Sequence, residues 1–261
     1  MALSDDDKWI LAENLKRQEK EAIAGVDKGE DGSRGDFGSY YALLTGKNTE
    51  WVKAHAISDE RYLASYARQF QRILREEGAT RGAIKLLDVG CGPGLLTATL
   101  SRSLPECRGR GIDISESAIQ YGRRQYPDCR FDVVPVDGAM ELGEKYDVVH
   151  AREFYPFTRT ADLDFHRAYV EALARHVDKA GVLILTLLSA PKSLAGNAAA
   201  LAPALEAAGM TPFRRVTVTS AKIPDWIPST VARAATELMA RGAGRGATHF
   251  YISRRTRPSG R

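Results

Sequence analysis

A glycine-rich run at residues 88–94 carries the strongest chemical signal in the sequence. It reads Asp-Val-Gly-Cys-Gly-Pro-Gly, so three alternating glycines follow a carboxylate. Glycine adopts positive φ angles and has no Cβ, which allows a ligand to approach the backbone closely. The next residues, 95–100, favour a helix, and the first-turn amides of a helix are unpaired hydrogen-bond donors. The run therefore predicts a polar cradle for a small ligand.

Two further carboxylates follow strands of the same predicted sheet. Residues 109–114 predict a second strand, and its Asp113 stands 25 residues beyond Asp88. One strand-helix unit of that length brings a carboxylate to the carboxyl edge of a parallel sheet, where it can accept hydrogen bonds from ribose hydroxyls. Asp137 comes after a third predicted strand at residues 130–135.

Alternating strands and helices must position these residues. Apolar strands are predicted at residues 86–89, 109–114, 130–135, 146–151, 181–188, 213–219 and 249–254. A further helix is predicted to begin at Ser58 and end at Glu77, just before the first strand. Parallel neighbours need helical crossovers, so this order predicts an α/β fold with a doubly wound, mostly parallel sheet.

Two nucleotide-binding families use loops of this kind. The dinucleotide fingerprint requires glycine or alanine at its sixth position, where this chain has Leu95. The pattern D-x-G-x-G-x-G instead resembles the first motif of class I S-adenosylmethionine-dependent methyltransferases, and the resemblance covers roughly residues 85–254. It implies a Rossmann-like sheet of seven strands, with the last strand antiparallel between the fifth and the sixth, and S-adenosylmethionine as the cofactor.

The resemblance also implies which residues hold the cofactor. Asp88 would shape the loop at the methionine end, Asp113 would bind the ribose, and Ile114 would cover one face of the adenine. Asp137 would accept from the adenine amino group, and residues 138–140 would add amides and an apolar wall. The competing interpretations are a helix cap for Asp113 and a turn residue for Asp137. The complete predicted set is Asp88, Gly90, Cys91, Gly92, Gly94, Asp113, Ile114, Asp137, Gly138, Ala139, Met140 and Arg152.

The segment around the end of the fourth strand supplies the candidate catalytic residues His150, Glu153 and Tyr155. His150 titrates near neutral pH and could act as general base for a hydroxyl acceptor, or it could be a satisfied core histidine. Glu153 could orient an amine or remove its proton, and Tyr155 could line the acceptor pocket. Arg152 could bind an anionic substrate or close an ion pair. The Asn-Pro-Pro-Tyr signature of methyltransferases that act on nucleic-acid bases is absent from this segment.

Two segments extend the predicted core. Residues 1–80 predict an N-terminal helical extension or lid, with an exposed amphipathic helix at residues 8–23. Residues 81–261 form the cofactor-binding core. Within it, residues 220–248 join a parallel to an antiparallel strand, so this connection begins and ends at the ligand edge of the sheet. We expect it to be a lid over the site, with Trp226 in the acceptor pocket.

The composition is that of an ordinary globular protein. The 261 residues carry 37 basic and 33 acidic side chains, and the net charge of +4 calls for neither a nucleic-acid nor a membrane partner. Three cysteines lack the spacing of a disulfide framework or a metal site, so no metal is predicted and a cytoplasmic location is expected. Whether the chain forms a homodimer is left open.

The combined patterns predict an enzyme that transfers the methyl group of S-adenosylmethionine to an oxygen or nitrogen nucleophile of a small molecule, with carbon less favoured. The sulfonium is already activated, so the main task of such a protein is to align the reacting atoms and exclude water. Three competing hypotheses remain. They are a methyltransferase acting on RNA or protein, a nucleotide-dependent oxidoreductase, and a non-catalytic scaffold that retains the fold.

Overall fold

The computed structural model describes residues 49–79, 82–159, 161–187, 194–219, 231 and 247–256. The helix predicted at residues 8–23 lies outside the described residues. So does nearly all of the predicted lid at residues 220–248, including Trp226. The part that is described contains the whole predicted sheet.

Strands and helices alternate along this part of the chain. In order they are α1 (Thr49–Glu76), β1 (Lys85–Val89), α2 (Leu95–Ser103), β2 (Arg108–Asp113), α3 (Glu116–Gln125), β3 (Arg130–Val133), β4 (Tyr146–Arg152), α4 (Tyr155–Arg159), α5 (Leu163–Arg175), β5 (Val177–Leu187), α6 (Leu194–Asn197), α7 (Ala202–Ala207), β6 (Arg214–Thr219) and β7 (Ala247–Arg254). Most predicted boundaries agree with these within two residues. The clearest exception among the strands is β5, which begins at Val177, four residues before the predicted start.

The sheet has seven strands in the order β3-β2-β1-β4-β5-β7-β6. Strands β1 to β5 pair in parallel, and β7 is antiparallel to both β5 and β6. The strand order changes direction at β1, which has β2 on one side and β4 on the other. In open α/β sheets, ligands bind outside the carboxyl ends of the strands at such a change of direction. The predicted doubly wound, seven-stranded fold is confirmed, including the position of its antiparallel strand.

Both faces of the sheet are buried by helices. Leu87 of β1 belongs to one core with Leu173 of α5. Its neighbour Leu86 belongs to the other core, with Phe70 of α1 and Leu100 of α2. Successive side chains of a strand point to opposite faces, so a strand covered on both sides is apolar almost throughout. A polar side chain inside such a strand must therefore find a partner within the core.

Helix α1 closes the second of these cores. Tyr66, Phe70 and Leu74 are buried at the helical spacing seen in the sequence. The predicted start at Ser58 is wrong, because the helix begins at Thr49 and has 28 residues. Residues 50–57 contain neither glycine nor proline, and the serine that follows them at position 58 costs little helical stability. In the part of the chain that the structure describes, no helix is both long and apolar enough to cross a membrane.

The alanine-rich run at residues 194–208, whose composition favours a single helix, forms two helices, α6 and α7. Turns at residues 198–201 separate the two, and Pro203 stands in the first turn of α7. Proline has no amide hydrogen and its ring crowds the preceding turn, so it favours the beginning of a helix over its interior. The alanine-rich composition indicates a helix but does not indicate the turns that interrupt it.

His176 ties the end of α5 to the connection before β4. Its Nδ1 donates to the carbonyl of Ala172 (2.8 Å), and its Nε2 accepts from the amide of Leu142 (3.1 Å). Only the neutral imidazole can both donate and accept in this way. Burial accordingly lowers the pKa of His176 below its ordinary value of 6.5.

This arrangement predicts a pH-dependent stability. Below pH 6.5 the unfolded chain binds a proton at His176 that the folded chain does not yet bind, so stability falls as pH drops toward the lowered folded-state pKa. The slope from one such group is at most about 1.4 kcal/mol per pH unit. We expect urea unfolding between pH 7.5 and 5.5 to show a smaller loss of stability for His176→Gln than for the wild-type protein. Equal losses would contradict the assignment. His249, whose pKa is also lowered by burial, is present in both proteins and cancels in the comparison.

Candidate active site

The glycine-rich loop folds as a left-handed turn between β1 and α2. Gly90, Gly92 and Gly94 have φ angles of 68°, 53° and 86°. The amides of Gly90 and Cys91 both donate to the carbonyl of Ile112, at 2.9 and 3.0 Å, so the loop is anchored to β2. Gly94 is the N-terminal cap of α2 and has no side chain to bond the first-turn amides. The three glycines thus adopt the positive φ angles that the sequence analysis expected of the loop.

Asp113 organises the mouth of this cradle. Its Oδ2 accepts from the amide of Gly92 (2.9 Å), and its Oδ1 accepts from the amide of Ser115 (2.8 Å). A carboxylate oxygen can accept more than one hydrogen bond, so the group can also accept from a hydroxyl donor. Burial raises the pKa of Asp113, and hydrogen bonds from the amides of Ser115, Gly92 and Ile114 oppose that rise. The competing interpretation was that Asp113 caps the next helix. That cap is instead Ser115, whose side chain accepts from the amide of Ala118 at the start of α3.

Apolar surface lies exposed directly beside this carboxylate. Ile114 is 43% exposed, although it follows a fully buried strand residue, Ile112. An exposed isoleucine at the carboxyl edge of a sheet is suited to cover a flat ring. Its position agrees with the predicted contact to adenine.

Residues 137–140 form a turn held against α5. Asp137 is exposed, and one of its oxygens accepts from the amide of Ala139 (2.8 Å). The Arg175 guanidinium donates to the carbonyl of Gly138. The side chain of Met140 is only 4% exposed and packs in the core with α5. Of the four predicted contacts, Asp137, Gly138 and Ala139 present accessible groups, and the predicted apolar wall of Met140 lies largely beneath the surface.

His150 is not at the surface of the cradle. Its side chain is fully buried, with Nδ1 2.9 Å from Asp88 Oδ1 and Nε2 2.7 Å from the hydroxyl of Tyr66. A general base must reach the proton that it removes, and both ring nitrogens already face protein groups. This geometry argues against the predicted base, and it matches the alternative of a satisfied core histidine. The reason is register, because His150 is paired with Asp88 inside the sheet.

Comparison with known proteins identifies the architecture. A family model described as "Methyltransferase domain" matches residues 86–181, from β1 into β5. The S-adenosylmethionine-bound structure of an amino pentose methyltransferase from Micromonospora echinaspora is similar, with a TM-score of 0.52 and 16% identity over 80% of this chain and 98% of that one. Residues 86–181 thus match the methyltransferase-domain family, and the sheet has the Rossmann-like methyltransferase fold.

Curated relatives match over shorter segments. Malonyl-[acyl-carrier protein] O-methyltransferase of Bacillus cereus is 26% identical over 136 residues, which cover 50% of this chain and 48% of the relative. Trans-aconitate 2-methyltransferase of Enterobacter sp. is 46% identical over 46 residues, covering 18% of each protein. The chain thus spans no more than about half the length of these curated relatives.

The backbone is strained directly after β4. Glu153 adopts φ 48°, in the left-handed region, while its amide donates to the carbonyl of Thr186 (2.9 Å). A non-glycine residue there costs of order 1 kcal/mol or more, and such residues cluster at functional sites. Glu153 is exposed at the carboxyl edge, whereas the Tyr155 side chain lies outside the described residues.

An aromatic ring that the sequence analysis did not select covers one glycine of the loop. A Cβ built on Gly90 would lie 2.8 Å from Cδ2 of Phe154. Phe154 packs edge-on against Tyr169, with ring centroids 5.8 Å apart. The signal was available in principle, because an aromatic residue directly after a buried strand stands at the ligand edge.

The remaining predicted contacts are Arg152 and Cys91. The guanidinium carbon of Arg152 lies 5.6 Å from the ring centroid of Tyr66, within the range of a cation–π contact. Burial raises the pKa of the Cys91 thiol well above its ordinary value, so this side chain stays neutral. Within the described ranges, no three His, Cys, Asp or Glu side chains are grouped as a metal site would require.

The backbone strain at Glu153 predicts an effect on stability and on turnover, and a second strained residue provides a control. Glu106, in the turn after α2, also has a positive φ, 45°. Glycine relieves left-handed strain, so both Glu153→Gly and Glu106→Gly should raise the free energy of unfolding by roughly 1 kcal/mol. Only Glu153→Gly should also lower turnover, because only this residue stands at the candidate active site. The idea fails if both variants keep wild-type turnover.

Proposed function

We propose that this chain catalyses transfer of the methyl group of S-adenosylmethionine to an oxygen or nitrogen nucleophile of a small molecule. The observation that carries the proposal is the pairing of the glycine loop with Asp113. The glycines let a ligand approach the backbone closely, the first turn of α2 has no side-chain cap on its amides, and the Asp113 carboxylate lies beside the loop, bonded to the Gly92 amide. A ligand with both a ribose and a compact polar end fits this arrangement.

Each contact has a chemical reason. The Asp113 carboxylate would accept from the two ribose hydroxyls, which are close enough together to be bound by one carboxylate. Ile114 would lie against the adenine, and the free oxygen of Asp137 would accept from the adenine amino group. The amides of the first turn of α2 would bind the carboxylate of the methionine end.

The chemistry comes from the cofactor, whose sulfonium makes the methyl carbon an electrophile. The acceptor's lone pair forms the new bond as the carbon–sulfur bond breaks, and the bonding pair stays on sulfur. The protein's contribution is to hold the two partners in line and to exclude water. Glu153 is suited to orient an amine or to take its proton, since it is exposed at the edge of β4.

A carboxylate oxygen is the acceptor we favour. The curated relatives are named for malonyl-[acyl-carrier protein] and trans-aconitate, and both of those compounds carry carboxylates. A carboxylate is ionised at neutral pH and needs no base, which is compatible with the burial of His150. The Arg152 guanidinium at the end of β4 is a suitable partner for such an acid.

Calorimetric titration with S-adenosylmethionine, S-adenosylhomocysteine and NAD tests the proposal. Micromolar binding of the first two without binding of NAD would support it. Binding of NAD alone would favour the oxidoreductase, and binding of none would overturn the proposed cofactor role. Release of S-adenosylhomocysteine can then be compared between small dicarboxylic acids and small amines. Turnover only with RNA or protein, together with steep salt dependence, would favour a macromolecular acceptor.

A further inference from the structure

We infer that Tyr66 and His150 are positioning residues that connect helix α1 to the cofactor loop, so that α1 is part of the methyl-transfer site. The inference rests on the proposed function. It gives a role to the buried histidine that the proposed reaction does not use.

A chain of polar side chains crosses the core beneath the loop. The Tyr66 hydroxyl lies 2.7 Å from His150 Nε2 and 2.8 Å from Thr186 Oγ1, and His150 Nδ1 lies 2.9 Å from Asp88 Oδ1. The second oxygen of Asp88 accepts from Thr97 Oγ1 at 2.6 Å. All five side chains are at least nine-tenths buried. This set is the buried polar chain.

Every link of the buried polar chain lies at hydrogen-bond distance. The Tyr66 hydroxyl donates to Thr186 Oγ1, and the same hydroxyl oxygen lies 2.7 Å from His150 Nε2. When its Nδ1 carries the hydrogen, His150 donates to Asp88. A buried carboxylate is costly without hydrogen-bond donors, and Asp88 has partners in both His150 and Thr97. A buried polar network whose members are paired in this way rigidifies its surroundings.

The two ends of the buried polar chain explain its importance for the cofactor. Asp88 and Thr97 lie on either side of the glycine loop, one in β1 and the other in the first turn of α2. Their hydrogen bond therefore fixes the distance that the loop must span. Tyr66 lies at the opposite end, in α1, and the Arg152 guanidinium packs over its ring. Removing the tyrosine hydroxyl should loosen the loop through His150 and Asp88.

The edge of Phe70 restrains the imidazole from a third side. Its ring centroid is 5.0 Å from that of His150, at an interplanar angle of 82°. The histidine is thus oriented by side chains of α1 on two sides and by β1 on another. The orientation of His150 therefore depends on the packing of α1 against the sheet.

Tyr66→Phe is the test, and Tyr146→Phe is its matched control. Tyr146 is equally buried, and its hydroxyl bonds two side chains, Arg110 (2.7 Å) and Glu144 (2.9 Å), at the other end of β4. Loss of a tyrosine hydroxyl that makes two hydrogen bonds should lower the melting temperature of both variants. Only Tyr66→Phe should also weaken binding of S-adenosylmethionine, by about three- to tenfold, because a hydrogen bond contributes on the order of a factor of ten at most.

Calorimetry on the full-length protein gives outcomes that separate the two proposals. If the wild-type protein does not bind S-adenosylmethionine, the proposed function fails. If it binds and Tyr66→Phe binds equally well, the inference is overturned, and the hydroxyl is merely structural. A second variant, Thr97→Val, removes the other end of the buried polar chain. Binding losses that are smaller in the Tyr66→Phe/Thr97→Val double variant than the sum of the two single losses would support coupling through His150 and Asp88, and strict additivity would contradict it.

Discussion

Asp113→Ala should weaken binding of S-adenosylmethionine by about 100-fold or more. Two hydrogen bonds from ribose hydroxyls to a charged acceptor are worth roughly 1.5–3 kcal/mol each at most, and 1.4 kcal/mol corresponds to tenfold in affinity. The substitution also removes the acceptor for the amides of Gly92 and Ser115, so the loop loses an anchor. Calorimetric titration measures the loss directly, and displacement of S-adenosylhomocysteine checks it.

Two companion variants define what a positive result means. Asp113→Asn keeps one acceptor oxygen and should lose less affinity than the alanine variant. Asp147→Ala removes a carboxylate that also accepts from a strand amide, that of Lys85 (2.8 Å), but at the amino end of the sheet. We expect that control to bind normally. Unchanged affinity in Asp113→Ala would mean that the ribose is bound elsewhere.

Gly94→Ala should be the most destabilising single substitution in the loop. The residue has φ 86°, and an added Cβ would lie 2.5 Å from Cε1 of the Phe131 ring. Left-handed strain costs roughly 1–2 kcal/mol and overpacking of a core roughly 1–3 kcal/mol, so we expect a loss of about 2–5 kcal/mol in the free energy of unfolding. Binding of S-adenosylmethionine should be lost as well, since the loop must shift. Urea unfolding and calorimetry provide the two measurements.

The steric part can be separated from the strain. Gly143 has a similar φ, 70°, with nothing within 4 Å of an added Cβ, so Gly143→Ala reports strain alone. Phe131→Leu makes room beside Gly94. In a double-mutant cycle, Gly94→Ala should be less destabilising in the Phe131→Leu background than in the wild-type background. Losses of equal size in both backgrounds would show that the ring is not the obstacle.

Local sequence patterns were sufficient for the conformation of the glycine loop and for the placement of Asp113 beside it. Both depend on neighbours within one strand-helix unit, where chain geometry leaves few alternatives. The alternation of elements predicted the doubly wound, mostly parallel sheet, and the family resemblance supplied the position of its antiparallel strand. These features are dictated by backbone conformation more than by distant packing.

The same patterns were insufficient for His150, because its role depends on partners distant in the chain. Nothing near it in sequence indicates that Asp88, Tyr66 and Thr186 surround it. A usable signal did exist. A polar residue within a strand that is apolar on both faces must be hydrogen-bonded inside the core. The adjacent strands β1, β4 and β5 each contain such a residue: Asp88, His150 and Thr186.

The start of α1 was missed for a different reason. Helix propensity changes little across residues 49–58, so propensity alone does not locate the start at Thr49. Met140 shows the converse, because its apolar side chain was assigned to the cofactor although the core against α5 was an equally good partner.

The docking of α1 has a practical consequence for anyone who trims this protein. The matched methyltransferase domain begins at residue 86, after α1 has ended. A fragment cut at that boundary would leave Leu86, Val148 and Ile184 without the helix that covers their core. A large exposed apolar surface of this kind promotes self-association. Aggregation of such a fragment would then reflect the missing cover of the sheet, and would say nothing about the competence of the intact protein.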